Sequence, residues 1–402
     1  MKKLFFRISC ILAVSLLICA FPANAFETVN LKINGQKLKS PYSPIISGDS
    51  TLVPLRPVME QLGWVVGWDD ETSSITVTSG IKTIGLQIDS DTMTVDGTPV
   101  KLAAAPCLIG EVTYAPIRAV SEALGATVSW DANTNTAAIC VTESTSTLTI
   151  GDYQVTTGTT VSDLISKCGE PSYICVGENG LVWYVYSAYP SAFMAIATDA
   201  GIVCGYYSNS PSFSTTEGYS FGRALWGNFK DIKTVAGNDY TIKLFYDLTE
   251  RSLYGIKYML NGYSADYDAA TAFANQARMG LDIINSFRNA HGKSLLSWST
   301  AAATSCTDHC NYICASGVLT NTGADGSTGL DRYLKVNPDT SWKAWAHISG
   351  AGYDNIFTCV NKWINSDYYR NVILSDKTHA GIGFVCSDSG KLRYSTAMFL
   401  IK

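Results

Sequence analysis

The hydrophobic pattern of the last third of the chain predicts three amphipathic helices. The first carries apolar residues on one helical face, namely Phe273, Ala277, Leu281, Ile284 and Phe287. We expect it to end at Gly292, because glycine readily adopts the left-handed conformation that closes helices. The second helix is predicted between Ser299 and Gly317, and the third opens at Asp354 or Asn355, both good N-caps.

Two apolar runs after the third helix predict central β-strands. They are residues 380–386 (AGIGFVC) and 394–401 (YSTAMFLI). Helices that bury their apolar faces on such a sheet form an α+β layer. The rest of the chain is rich in strand and turn patterns, so we expect an α+β protein of several domains.

Residues 31–140 contain a repeat with an offset of 62 and no gaps. The paired segments are Ile33–Gly35 with Val95–Gly97, Pro54–Arg56 with Pro116–Arg118, Leu62–Gly63 with Leu124–Gly125, and Trp68–Asp69 with Trp130–Asp131. Each unit is predicted to hold a hairpin at Asn-Gly or Asp-Gly, a short helix (57–62 or 119–124) and a strand pair around the Trp-Asp turn. Arg56 and Arg118 stand beside a proline and a helix start, which favours a structural role over ligand binding.

The middle of the chain, from residue 144 to 265, has short strand patterns and many tyrosines. Trp183 to Tyr186 alternate as a strand does, which favours aromatic sheet faces over a sugar-binding platform. The linker at residues 261–268 is short, so we expect the middle and last parts of the chain to pack together.

Residues 1–25 have the pattern of a secretory signal. Lys2, Lys3 and Arg7 precede an apolar run, and an Ala-x-Ala site predicts cleavage after Ala25. We expect a secreted protein without a transmembrane segment after cleavage, with wall association left open. Loss of these three cations changes the net charge from −5 to −8, which disfavours nucleic acid and anionic membranes or wall polymers as partners.

Ten of the twelve cysteines remain after signal cleavage. Outside the cell such a set suggests disulfides, and Cys107 with Cys140 is the pair we favour. Cys306, Cys310 and Cys314 share one helix face beside His309. A metal site there is conceivable, but the packing of small buried cysteines is the favoured interpretation.

Four motifs in the last third resemble the CAP family, which comprises cysteine-rich secretory, antigen 5 and pathogenesis-related proteins. They are Asn285-x-x-Arg288 followed by Leu295–Trp298, then Asp325–Arg332, then Trp363–Leu374, and finally Gly381-x-Gly383. The resemblance implies an α-β-α sandwich over residues 266–402. It also implies a cleft, which we expect to be lined by Asn321, a loop from Ala346 to Asp354, Ser366 and Tyr369.

The family's cleft often holds a divalent metal through two histidines, and the resemblance maps these onto Asn321 and Tyr369. The family's cleft glutamate maps onto Asp354 by local similarity or onto Ala346 by spacing, and we prefer the second alignment. A further glutamate of eukaryotic members maps onto Ser366. Because amide, phenol and hydroxyl groups are poor ligands for zinc, we expect no metal and no cofactor.

The first two parts of the chain resemble domains found in secreted bacterial proteins. Residues 26–143 resemble the copper amine oxidase N-terminal domain, which recurs in Firmicute proteins as a stalk, and residues 144–265 resemble the domain that often precedes bacterial CAP domains. CGEPSY (168–173), LVWYVYS (181–187) and GIVCGYYSNS (201–210) carry the second resemblance. We refer to these parts as the stalk and the middle module.

The leading functional hypothesis is a CAP-like domain that binds an unknown extracellular ligand or cell-wall component without catalysis. Tyr353, Tyr368 and Tyr369 could stack against such a ligand. The rival hypothesis is an extracellular, protease-like hydrolase that uses His347 with Asp354 or Ser366. Binding of a small lipid, as in some CAP proteins, is a third hypothesis.

Overall fold

The computed structural model describes residues 29–401 apart from residues 81, 189–191, 228, 340, 343 and 387–392. The expected signal sequence and its cleavage point at Ala25 lie outside the described residues. Across the described part of the chain, no helix has the length and apolar character that a membrane crossing requires.

The stalk consists of short strands and two short helices. They are β1 (Asn30–Ile33), β2 (Gln36–Lys37), β3 (Ile45–Ser47), β4 (Ser50–Pro54), α1 (Leu55–Gln61), β5 (Val65–Asp69), β6 (Ser74–Ser79), β7 (Lys82–Gln87), β8 (Thr92–Val95), β9 (Thr98–Lys101), β10 (Cys107–Ile109), β11 (Val112–Pro116), α2 (Ile117–Ala123), β12 (Thr127–Asp131) and β13 (Thr136–Cys140). The predicted hairpins at Asn34 and Asp96 are confirmed, with φ angles of 48° and 49° at these two residues. Both predicted helices are confirmed, and each begins two residues earlier than expected.

The two repeats of the stalk exchange strands around a local two-fold axis. Strands β4 and β11 pair antiparallel with Val53 opposite Ala115, which are equivalent positions of the two repeats. Strand β1 of the first repeat runs parallel to β13 of the second. Strands β8 and β9 of the second repeat complete the sheet of β5, β6 and β7. Neither repeat therefore forms its sheets alone.

The middle module is built on an antiparallel sheet of seven strands. Its elements are β14 (Thr147–Ile150), β15 (Tyr153–Thr156), α3 (Val161–Cys168), β16 (Tyr173–Val176), a 3₁₀ turn (Glu178–Gly180), β17 (Val182–Ala188), β18 (Ala192–Asp199), β19 (Ile202–Ser208), β20 (Phe213–Thr215), β21 (Ile232–Ala236), β22 (Tyr240–Asp247) and β23 (Ser252–Leu260). The order in the large sheet is β16-β17-β18-β19-β23-β22-β21. Trp183 and Tyr186 are buried, as predicted for aromatic sheet faces.

The last part of the chain has the helices and strands that its hydrophobic pattern predicts. Its elements are α4 (Ala269–Ala290), β24 (Ser297–Trp298), α5 (Thr300–Ser316), α6 (Gly329–Val336), β25 (Ala344–Ala351), α7 (Ile356–Ile364), α8 (Asp367–Ile373), β26 (His379–Cys386) and β27 (Arg393–Ile401). Ser299 caps α5 by accepting from the amide of Ala302, and Asn355 caps α7 by accepting from the amide of Thr358.

Helices cover both faces of the sheet β24-β26-β27-β25. Along β27, Ala397 and Phe399 join the core that contains α4, whereas the alternate residues Met398 and Leu400 pack with α5 and α6. Because successive strand residues point to opposite faces, the helices form outer layers on the two sides of the sheet. This arrangement is the α-β-α sandwich that the resemblance implies.

The expected loop from Ala346 to Asp354 is wrong for most of its length. Residues up to Ala351 belong to β25, which pairs antiparallel with β27 so that His347 lies opposite Met398. The backbone N–H and C=O groups of residues 344–351 form hydrogen bonds with β27. A loop in this place would leave the polar backbone groups of β27 on that side without partners. Only residues 352–355 remain as a connection before α7.

The Gly381-x-Gly383 motif allows α5 to approach β26 closely. A Cβ atom at Gly381 would lie 2.2 Å from the backbone nitrogen of Ala303, and one at Gly383 would lie 2.5 Å from the carbonyl carbon of Cys306. The Cys306 thiol donates to the Gly381 carbonyl at 3.6 Å. Cys306 and Cys310 are buried, so the predicted packing role is the one observed for these two cysteines.

The favoured disulfide between Cys107 and Cys140 is wrong. Cys107 and Cys140 are both free thiols. Cys107 lies on β10, whereas Cys140 ends β13 in a different sheet and accepts a hydrogen bond from the hydroxyl of Tyr263 at 3.1 Å. Strand exchange sends these two segments to separate sheets, so their proximity in one repeat does not bring the thiols together.

The middle module and the CAP-like part share one hydrophobic core, as the short linker predicts. The ring of Phe357 on α7 lies 4.4 Å from that of Tyr207 and 5.2 Å from that of Trp183, both in the large sheet. The buried amide of Asn361 accepts from the hydroxyl of Tyr254 at 2.8 Å. These residues make the two parts a continuous structural unit.

A buried ion pair also joins the two parts. The guanidinium of Arg370 on α8 lies 2.7 Å from the carboxylate of Asp247 at the end of β22, with side-chain exposures of 10% and 1%. We expect Arg370→Ala to lower the free energy of unfolding by about 3–5 kcal/mol, because it leaves a buried carboxylate without its cation. Urea unfolding monitored by circular dichroism measures this change.

The matched control for this prediction is Lys293→Ala, because Lys293 pairs with Asp376 at the surface, where the exposures are 40% and 92%. It should cost less than about 1 kcal/mol. Adding Asp247→Asn to Arg370→Ala should restore part of the loss by removing the unpaired charge. An Arg370→Ala effect as small as that of Lys293→Ala would show that the ion pair does not stabilise the junction.

Candidate functional site

The residues at the two family histidine positions meet at Ser349 on β25. The amide oxygen of Asn321 accepts from the Ser349 hydroxyl at 2.8 Å, and the hydroxyl of Tyr369 donates to the Ser349 carbonyl at 3.0 Å. Tyr369 follows the start of α8, and Asn321 lies in the segment between α5 and α6. The structure therefore brings these two predicted cleft residues to one point.

This group of donors does not fit a divalent metal. The amide oxygen of Asn321 and the hydroxyl of Tyr369 are both engaged with Ser349, and neither is an imidazole, thiolate or carboxylate. The guanidinium of Arg332 donates to the Asn321 carbonyl at 3.1 Å, which adds a positive charge beside the place where a cation would lie. The site offers hydrogen bonds rather than metal coordination.

His347 lies beside Ser349 on the strand and faces α5. Its ring centroid is 5.6 Å from that of His309, and both residues are buried. The Nε2 atom of His309 lies 2.7 Å from the Thr320 carbonyl and must donate to it, which leaves Nδ1 as the acceptor. The Nδ1 atoms of both histidines are buried and make no hydrogen bond.

His347 is held neutral by its surroundings. Burial, the neighbouring His309 and the charge of Arg332 together lower the pKa of His347 from 6.5 to about 3. A neutral imidazole can accept a proton or a hydrogen bond, but the side chain is only 8% exposed. It therefore serves more readily as part of the wall of the cleft than as a base in contact with solvent.

The other predicted site residues lie at separate places around β25. Tyr353 folds back so that its hydroxyl end covers Gly350, where a Cβ atom would lie 2.4 Å from the phenolic oxygen. Ser366 occupies the turn between α7 and α8, at the N-cap of α8. Asp354 is exposed and lines a cavity that faces the middle module. His347, Asp354 and Ser366 thus belong to three different surroundings.

The cavity beside Asp354 contains a lysine that sequence analysis missed. Lys257 on β23 is 6% exposed, and its ammonium pairs with Glu178, whose other oxygen accepts from the Asn355 amide at 2.7 Å. The ammonium also lies 5.1 Å from the ring centroid of Phe357. Burial lowers the pKa of Lys257, and the charge of Asp354 opposes this shift.

No local motif marks Lys257 in the sequence, because it occupies one position of an otherwise apolar strand and its partner lies far away along the chain. The cavity, of about 380 Å³, lies where the middle module meets the start of α7. Without Glu178, the ammonium of Lys257 would be buried in the shared core with no carboxylate paired to it. We interpret this ion pair as part of the junction.

A second cluster, formed by Asp247, Glu250 and His291, has ligand atoms within 4.8 Å of one another and is the one group of metal-ligand type found among the described residues. Arg370 lies inside this cluster, 2.7 Å from Asp247 and 3.2 Å from the Nε2 atom of His291. A guanidinium in that position repels a metal ion. The cluster is an ion-pair network between the middle module and α8.

Comparison with protein families identifies two segments of the chain. The fold defines a protein in which a duplicated stalk and a β-rich module precede an α-β-α sandwich along the chain. Residues 281–399 match the cysteine-rich secretory protein family, CAP, and residues 32–162 match the copper amine oxidase N-terminal domain. The chain thus carries a CAP domain and a copper amine oxidase N-terminal-like domain, as its motifs indicate.

One solved structure extends the similarity of fold beyond the CAP segment. An extracellular protein containing an SCP domain from Bacillus anthracis str. Ames has a TM-score of 0.53 and 18% identity, covering 60% of this chain and 93% of that one. A cysteine-rich secretory protein from Staphylococcus aureus subsp. aureus Mu50 has a TM-score of 0.46 and 15% identity, covering 60% of this chain and 90% of that one. No curated protein matches the chain.

The depressed pKa of His347 predicts how stability depends on pH. Between pH 6.5 and about 3 the unfolded chain binds a proton at this residue and the folded chain does not, so folding stability falls as the pH is lowered through this range. We expect His347→Gln to make this fall shallower by at most about 1.4 kcal/mol per pH unit. Urea unfolding at pH 7, 6, 5 and 4 provides the measurement.

The control is Met398→Leu, which changes the residue opposite His347 on β27 without removing an ionisable group and should leave the slope unchanged. Identical slopes in the wild type and in His347→Gln would mean that the pKa of His347 is the same in the folded and the unfolded chain.

Proposed function

We propose that this protein is a secreted or cell-surface bacterial protein whose CAP domain binds a ligand or partner without catalysis, presented by the stalk. The observation that carries the proposal is the group of Asn321, Ser349 and Tyr369. It replaces the charged and basic residues that hydrolysis or metal binding requires with neutral hydrogen-bonding groups. Such groups suit recognition of a polar ligand.

Two further observations support the extracellular part of this proposal. Residues 1–25 have the charge, apolar run and Ala-x-Ala site of a secretory signal. The solved structure from Bacillus anthracis with the same fold is described as an extracellular protein. Attachment to the cell wall would have to be specific, because the net charge of −8 after signal cleavage disfavours attraction to anionic polymers.

A gain of metal binding tests whether Asn321 and Tyr369 define the cleft. We expect calorimetric titration of the chain from residue 26 with zinc to give no saturable binding, whereas Asn321→His combined with Tyr369→His should bind zinc in the micromolar range. Both side chains reach Ser349, so two imidazoles placed there would approach a common point. The pair Asn321→Ala with Tyr369→Phe is the matched control and should stay silent.

Tight zinc binding by the wild type would contradict the proposal, as would zinc binding by the control pair. The first result would mean that the cleft holds a metal through other residues. The second would place the metal away from the cleft.

The hydrolase hypothesis is tested separately with His347→Ala. If the wild type cleaves members of a peptide library and His347→Ala does so at least a hundredfold more slowly while remaining folded, the domain is an enzyme. We expect no cleavage by either protein, because His347 is buried and neutral and lies apart from the surroundings of Asp354 and Ser366.

A further inference from the structure

The strand exchange in the stalk creates two equivalent grooves. The first has a volume of about 590 Å³ and the second about 600 Å³. Apart from Tyr42, every residue that lines the second groove has its counterpart, at an offset of 62, lining the first. The fold has therefore built the same concave surface twice, on a scale at which proteins bind small molecules.

Each groove lies between the two repeats. The wall of the second groove comes from the start of α1 and from β5, and its opposite rim is the β10–β11 hairpin of the other repeat. The first groove is formed in the same way by α2, β12 and the β3–β4 hairpin. The strands β5, β12, β3 and β10 that border the grooves are edge strands of their sheets.

An exposed tryptophan lies in each groove. Trp68 and Trp130 occupy equivalent positions of the two repeats, and each is 39% exposed. The indole nitrogen of Trp68 donates to the carboxylate of Asp70, which fixes the orientation of the ring. A tryptophan buries a large apolar face when it is covered, so leaving one open in both repeats presents two apolar platforms to solvent.

Polar groups of both charges surround each indole. The first groove has Arg118 on the helix side and Asp49 on the opposite hairpin, and the second has Arg56 and Glu111 at the equivalent positions. The two arginine side chains are 60% and 53% exposed. Each guanidinium lies 3.6 Å from the glutamate one turn on along its helix, Glu60 or Glu122, and Arg56 also donates to the Val66 carbonyl at 3.0 Å, so the exposed part of each guanidinium keeps donors for a ligand. Each groove therefore offers free donors and acceptors with little net charge.

We propose that the stalk binds a neutral glycan through these two grooves. A sugar ring has an apolar face of C–H groups, which matches an indole, and a rim of hydroxyl groups, which matches a guanidinium and a carboxylate. Because the groove occurs twice, we expect the ligand to have a repeating unit, so that one polymer chain can occupy both grooves at once. Two weak sites on one rigid module then act together, and the polymer is held more tightly than either site holds a single unit.

Charge distinguishes this ligand from an acidic polymer. The first groove has two cations, Arg118 and Lys101, and two carboxylates, Asp49 and Glu122. The second has Arg56 and Glu111, and the chain from residue 26 has a net charge of −8. A polyanion would be repelled at long range and would find no excess of cations at close range. The polar groups equally disfavour a purely apolar occupant, which would leave them without partners.

The test is calorimetric titration of the chain from residue 26 with cellohexaose and with chitohexaose. We expect at least one of these neutral hexasaccharides to bind at two sites per chain. Trp68→Ala and Trp130→Ala should each leave one site, and the double variant should bind at least tenfold more weakly. Trp226→Ala is the matched control, because this tryptophan is 86% exposed but lies in the middle module, away from both grooves.

A second pair of variants separates binding from folding. Trp68→Phe with Trp130→Phe keeps an apolar ring in each groove and should fold with an affinity reduced twofold to tenfold, whereas Arg56→Gln with Arg118→Gln should weaken binding without changing the aromatic platforms. The proposal is overturned if neither hexasaccharide binds the wild type. It is equally overturned if the folded double alanine variant binds as the wild type does, or if Trp226→Ala removes the binding.

Discussion

Burial of α4 and α7 against the large sheet of the middle module is the interaction on which the rest of the structure depends. Phe357 inserts its ring between Trp183 and Tyr207, and the same face of the sheet packs on α4. Polar groups in this junction are satisfied across it, as Asp247 is by Arg370 and Glu178 is by the amide of Asn355. The CAP domain thus has one helical layer covered by another module, and only its remaining surface is open to partners.

Local signals explain how much of the fold the sequence predicts. The caps at Ser299 and Asn355 and the glycine at Gly317 depend on residues within a few positions, and the structure confirms the helices they delimit. The exchange of strands in the stalk depends on pairing between residues as distant as Asn30 and Thr136, which no local pattern encodes. The assumed disulfide was wrong for the same reason, because closeness within a repeat was taken for closeness in space.

The candidate site shows the same division between local and distant information. Family motifs predict that Asn321 and Tyr369 lie near each other, but they do not predict that Ser349 would link them. That link follows from β25 being a strand rather than a loop. His347, Asp354 and Ser366 are close along the chain or in the family alignment, yet strand and helix geometry direct them to different surroundings. A fold can persist in this way while the chemistry of its cleft changes.

Strand exchange makes each repeat of the stalk an incomplete folding unit. The symmetric pairing of β4 with β11 is the contact expected between two copies of one short chain in an isologous dimer. Strand β7, which has no equivalent in the other repeat, connects the first repeat to the second. The two repeats therefore pair within one chain, and no encounter between separate chains is needed. Two separate units would come apart on dilution, whereas the fused pair keeps its stability at any protein concentration.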